Sequence, residues 1–358
     1  MKKNCFMKKS NILKFLIYPI IVIGCNSTLE EQTLVPIDST FEMVGQTLKF
    51  SSLEDYENYF ENSEKVDLPV FQSLKSVFNS NPSKSEYLGR LSKSGIENLE
   101  EFKDSKILEL LDENGFVIIH DYLIQLDFEN GEAYVTKDLS LREKILNRDF
   151  NNLDINKFSF EDDVLGILFG EDEVKNETNS YIDELVVNEN LRISSGGCPG
   201  SYPPGSSFPS MVGSGCDSKK CEFTSIWQEG NWEFKAEAKH VYQAAAVYFR
   251  LKTEVAQYRR SIGGGSWSNY GSDNMKITYW GSFTPKNRSW RPLSGCYDEC
   301  QGCWPPPANK QKVQRVYHEA GRRLTQYNLY GIIDVFLGGG NYGSGYHDTF
   351  QLFNIKRD

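Results

Sequence analysis

The chain has 358 residues, a formal net charge of −10, 39% hydrophobic and 13% aromatic residues. That composition excludes a disordered chain, and the acidic balance argues against nucleic acid as a partner. The length suits two domains with sizeable cores.

Five lysines (Lys2, Lys3, Lys8, Lys9, Lys14) precede an apolar run from Phe15 to Ile23. The run is a third to a half of the roughly 20 residues that a membrane-spanning helix needs. A basic stretch followed by a short apolar one reads as an export signal. Val22-Ile23-Gly24-Cys25 then resembles the lipobox of bacterial lipoproteins. The resemblance implies cleavage before Cys25, diacylation of its thiol with palmitate-type chains, and acylation of the new amino group. Two or more acyl chains hold a protein stably, at about 0.8 kcal/mol per buried methylene. Asn26 and Ser27 stand where an inner-membrane retention aspartate is common in that family, and Glu30-Glu31 is similar to surface-export tags of Bacteroidota lipoproteins. The expected location is the outer membrane, with the body periplasmic or surface-exposed and the membrane contacted through the lipid.

Charge divides the remainder. Residues 25–194 carry 15 Lys+Arg against 36 Asp+Glu, a net of −21, whereas residues 195–358 carry 19 against 13, a net of +6. Such asymmetry supports two domains and suggests that they attract each other. In the acidic half, Ser51 and Glu54 predict a capping box, with Leu53, Tyr56 and Phe60 at helical spacing. A second helix is expected from Ser94, with Glu97 completing its box. After Asn114-Gly115 the period becomes strand-like: Phe116–His120, Tyr122–Phe128 and Glu132–Thr136 form a predicted three-stranded meander. Ser140 and Glu143 predict a further helical piece, and Lys157–Glu173 receives no assignment. His120, at a strand end without a nearby cysteine or histidine, reads as a surface or satisfied residue. The segments FSSLEDY and LLDENGFVIIHDYLIQLDFENGEAYV resemble a pattern in Bacteroidota surface lipoproteins of unknown function. That resemblance implies a location and a small α+β region, and no activity.

Residues 194–215 are rich in Gly, Pro and Ser, a linker composition. Six cysteines remain beyond Cys5 and Cys25: Cys198, Cys216, Cys221, Cys296, Cys300 and Cys303. An even count in an exported chain reads as a disulfide framework with 15 possible pairings. The expected connection clips the Cys198–Cys221 region to the Cys296–Cys303 region. The CxxxCxxC spacing of Cys296, Cys300 and Cys303 is that of some iron–sulfur enzymes, and a zinc site with Cys216 and Cys221 is the other alternative. Export disfavours both, so no metal or cofactor is assigned.

Alternation predicts strands over Trp232–Ala238, Val247–Val255, Met275–Gly281, Thr325–Leu337 and Phe350–Lys356, with a helical alternative for Glu237–Ala246. All six tryptophans fall in this half. Rings on a sheet suit sugar faces, and Trp267 and Trp304, in Gly/Ser-rich and Pro-rich loops, are the candidate ligand-binding residues. No catalytic residue is assigned. His318-Glu319 lacks the second histidine of a zinc protease, and the carboxylates Glu319 and Asp334 are not shown to converge.

The expected fold class is α+β. Residues 1–24 are the signal peptide, 25–45 a tether, 46–190 an acidic α+β domain, 191–215 a linker and 216–358 a Cys/Trp-rich, mostly antiparallel β domain, a sheet or a sandwich. The expected function is that of a lipid-anchored envelope protein that binds a glycan or an envelope protein, or is structural. The alternative is an exported hydrolase acting on glycan or peptide.

Overall fold

The computed structural model describes residues 41–63, 66–80, 85–151, 154–170, 216–271, 274–298, 312–337 and 346–357. Residues 1–24, expected as a signal peptide, Cys25, residues 191–215, expected as a linker, Cys198, Cys300, Cys303 and Trp304 lie outside these residues. The fold is α+β and rich in strand, with three sheets that are mainly antiparallel.

Strands β1 (Phe41–Val44) and β2 (Thr47–Phe50) form a hairpin. Helix α1 (Leu53–Asn62) follows, capped by Ser52, whose hydroxyl accepts the Asp55 amide. Three helix caps of this half differ from the prediction. The cap is Ser52 and not Ser51. Helix α4 (Lys93–Glu101) is capped by Ser92 and not Ser94. Asp138, not Ser140, caps the 3-10 turn Leu139–Leu141 that leads into α6 (Arg142–Leu146). Adjacent serines and aspartates compete for each cap, and tertiary packing picks the winner. Short helices α2 (Leu74–Ser80), α3 (Glu86–Arg90) and α5 (Ile107–Leu110) complete the helical layer before the meander.

The meander forms as predicted, as β3 (Phe116–Ile119), β4 (Tyr122–Asp127) and β5 (Glu132–Thr136). The unassigned acidic stretch supplies β6 (Asn156–Ser159) and α7 (Val164–Phe169). The sheet runs β1-β2-β3-β4-β5-β6, parallel only between β2 and β3. Leu126, Phe128 and Val135 pack beneath Tyr56, Phe60 and Leu99 of the helices.

The C-terminal strands are β7 (Lys220–Glu229), β8 (Trp232–Ala244), β9 (Phe249–Ser261), β10 (Ser268–Asn269), β11 (Asn274–Pro285), β12 (Arg291–Asp298), β13 (Lys312–Ala320), β14 (Leu324–Leu337) and β15 (Tyr346–Arg357). Strands β7, β8 and β9 lie in order, and β10 and β13 share the far edge of β9. The second sheet runs β12-β11-β14-β15. Phe234, Ala236, Ala238 and Val255 of the first sheet pack on Met275, Ile277, Ile333 and Val335 of the second. This is a sandwich. The helical alternative for Glu237–Ala246 is overturned: β8 continues to Ala244, because its alternate residues fill that core.

The two halves share a core. The connection between β8 and β9, Ala245–Tyr248, is fully buried among the helices of the acidic half. Ala246 adopts φ 58°, and its amide donates to the Phe160 carbonyl at 2.8 Å. Tyr56 Oη donates to the Val247 carbonyl at 2.9 Å. Among the described residues, the ion pairs across the junction all run the same way: Asp104 with Lys312, Glu57 with Arg322 and Arg288, Asp163 with Lys286, and Glu161 with Lys219. The acid comes from the first half and the base from the second, as the charge asymmetry suggests. Ser39–Asp358 forms one compact unit.

Candidate functional site: a cation–aromatic tip

The site lies at the sandwich end opposite that buried connection. Two turns build it. The β7–β8 turn uses Gly230 at φ 58°. The β9–β10 turn uses Gly263, Gly264 and Gly265 at φ 98°, 127° and 117°, values that a side chain rarely permits. These glycines let the chain double back, so that Ser268 and Asn269 pair with Arg259 and Tyr258. Trp267 and Tyr270 are thereby placed on either side of that short strand.

Pairing then sorts the charges. Opposite residues of β8 and β9 share a face. Glu233 lies opposite Arg260, and Lys235 opposite Tyr258. On that face Arg260 sits 4.4 Å and Lys235 5.0 Å from the Trp267 ring centre. Lys235 is also 4.7 Å from the Tyr258 ring. Arg260 Nε donates to Glu233 at 2.5 Å, and this bond holds the Glu233 carboxyl below its usual range. Lys235 pairs with Glu237 at 2.5 Å.

The neighbouring arginine differs. Arg259 lies opposite Phe234, its guanidinium 4.5 Å from the Trp232 ring and 4.2 Å from the Tyr270 ring. Among the described residues no carboxylate pairs with it and no acceptor takes its N–H groups. Tyr270 is held edge-on to Phe234 at 5.5 Å, and Phe234 stacks on Trp227 at 5.8 Å. Trp232 is 39% and Ile262 46% exposed, so the rim is open to solvent. A guanidinium held by its faces keeps its in-plane donors free, the geometry that matches a carboxylate or phosphate in bidentate fashion.

Trp267 is therefore at the tip but on the sheet face opposite Arg259, and its ring carries Arg260 and Lys235 and is not a bare platform. The sequence reading missed Arg259 because it stood as one polar position in an alternating strand. The signal available was Tyr258-Arg259-Arg260 followed by Trp267 and Tyr270.

The other singled-out residues lie elsewhere. Cys216 and Cys221 are bonded to each other, closing a local loop and not a clip to Cys296–Cys303. Neither is then a thiolate for zinc. Cys296 lies in β12 opposite Thr278. His120 is a surface residue at φ 56°, 3.1 Å from Asp121. His240 and His318 are enclosed, and burial lowers them to about 3 and about 4. His347 lies in β15 opposite Phe336. Glu319 is on β13 and Asp334 on β14, in different sheets. Glu319 accepts from Tyr248 Oη at 2.5 Å and from the Lys106 amide at 3.0 Å, which makes it a clasp between the halves.

The fold thus defines a class, a strand-rich α+β chain with an open cation–aromatic tip. No protein-family model, curated protein or solved structure matches it.

Proposed function

We propose that the chain is a lipid-tethered cell-envelope protein, anchored through Cys25 at the outer membrane, whose sandwich tip binds an acidic glycan. On this reading an acidic α+β domain carries a disulfide-linked β domain that presents the binding edge. The observation that carries the ligand class is Arg259, clamped between Trp232 and Tyr270 with its N–H edge unengaged among the described residues. Rings beside it suit the apolar face of a sugar, and the guanidinium suits its carboxylate or phosphate. The lipobox at Val22–Cys25 supports the location.

Two measurements test this. On an array of matched acidic and neutral glycans, the protein retains uronic-acid or phosphorylated members, and Trp232→Ala or Tyr270→Ala weakens retention tenfold or more. Equal retention of neutral partners contradicts the ligand class. Metabolic labelling with a fatty-acid probe marks the wild type and not Cys25→Ala. An unlabelled wild type contradicts the tether.

A further inference from the structure

A second concavity lies in the acidic half, remote in sequence from the tip. It is a cleft of about 330 Å³ between α3, β4 and the segment that ends α6. That volume is at the lower end of the range for small-ligand pockets. Its apolar wall is Leu91, Ile145 and Leu146, with the ring of Tyr87. Its polar side presents two guanidiniums, from Arg90 and Arg148, in a segment where acids otherwise prevail. Residues 41–170 contain three arginines, and two of them line this cleft.

Both are held in place. Arg90 donates to the Leu146 carbonyl at 2.5 Å and to Asn147 Oδ1 at 3.1 Å, and also pairs with Glu86. Arg148 uses one nitrogen alone: Nη2 donates to both oxygens of buried Asp127, at 3.2 and 3.0 Å. Asp127 is fixed in turn by the Glu129 amide at 3.0 Å and Asn130 at 2.7 Å. Nε and Nη1 of Arg148 therefore have no acceptor among the described residues. The Arg148 backbone adopts φ 56°, uncommon for a side chain of this size, and its amide is tied to the Ile145 carbonyl at 3.0 Å. Backbone of this kind persists where its surroundings over-determine it, and it gathers at ligand clamps.

We infer that this cleft binds a small amphipathic acid. The carboxylate is taken by the free edge of Arg148 and by Arg90, and a short unbranched apolar tail lies against Leu91, Ile145 and Leu146. This site is independent of the tip.

The full chain is titrated calorimetrically with acetate, butyrate, hexanoate, hexanol and inorganic phosphate. Affinity is expected to rise roughly fourfold per added methylene along the acids until the chain outgrows the cleft. Hexanol and phosphate bind at least tenfold more weakly than hexanoate. Arg148→Lys keeps the charge beside Asp127 but loses the fork, and weakens hexanoate tenfold or more. Lys103→Gln, an exposed cation outside the cleft, leaves hexanoate binding unchanged. The inference is overturned if no acid binds, if hexanol or phosphate matches hexanoate, or if Arg148→Lys binds as the wild type does.

Discussion

His240 is fully enclosed between the sheets, its Nδ1 2.7 Å from Thr253 Oγ1 and its Nε2 without a partner among the described residues. His318 is also buried, its Nε2 2.9 Å from the Arg322 carbonyl. Burial depresses both, to about 3 and about 4, against an unfolded value near 6.5. The folded chain stays neutral at these sites while the unfolded chain takes up protons. Stability is therefore complete above pH 6.5 and declines as the pH falls, by up to about 1.4 kcal/mol per pH unit for each histidine. Urea denaturation at pH 7.0, 6.0 and 5.0 reads this slope, and a flat profile contradicts it. Gly281 tests packing at the same scale. It has φ 147°, and a Cβ there would lie 1.9 Å from the Asn328 carbonyl oxygen on the paired strand. Gly281→Ala is expected to cost more than about 4 kcal/mol, beyond the usual range for a point mutation. Thermal unfolding checks it, and a shift of under 2 °C would refute the close approach.

Among the elements, β9 teaches the most about what sequence can and cannot convey. Its alternation correctly places Leu251, Thr253 and Val255 on the sandwich interior. The other face, Arg250, Lys252 and Glu254, reads as solvated, yet all three are buried. The acidic half covers that face, and a pattern local to one strand carries no information about a cover made 150 residues earlier. Burial lowers Lys252 to about 8, whereas Lys252, Lys239 and Lys312 outweigh burial at Glu254 and take it down to about 2. The β8–β9 connection was hidden for the same reason: Val247 and Tyr248 continue the strand pattern but leave it to enter the other core. Tyr248 packs against Phe60 and Phe102 and donates to Glu319. Tyr248→Phe removes that donor and leaves a buried carboxylate under-satisfied, at a cost of about 1–3 kcal/mol. Equilibrium denaturation measures it, and a neutral outcome would mean that the clasp contributes nothing. Strands with strict alternation and hairpins with Asn-Gly turns were legible. Edge strands such as β7, β12 and β13 were not, because their polar residues break the period.

For the whole molecule, the opposed charges of the halves act at their junction as well as on the surface. Exposed pairs are each worth about 0.2–1 kcal/mol and are screened by salt. Glu161→Lys combined with Lys219→Glu should recover most of the stability lost by either change alone. A double mutant as unstable as the sum of the two would show that the pair is idle. The tip shows how far the candidate site was readable. Trp267 was found from its glycine loop, whereas Arg259 needed the pairing of β9 with β8 and β10 to reveal its two rings. The most direct measurement is the affinity of the full chain for one acidic glycan retained on the array, compared between wild type, Arg259→Lys and Arg259→Gln. A stacked guanidinium that reads an anion through its edge predicts at least tenfold weaker binding for both variants, with lysine failing despite its charge. Equal affinity in all three would contradict the binding edge proposed for this protein.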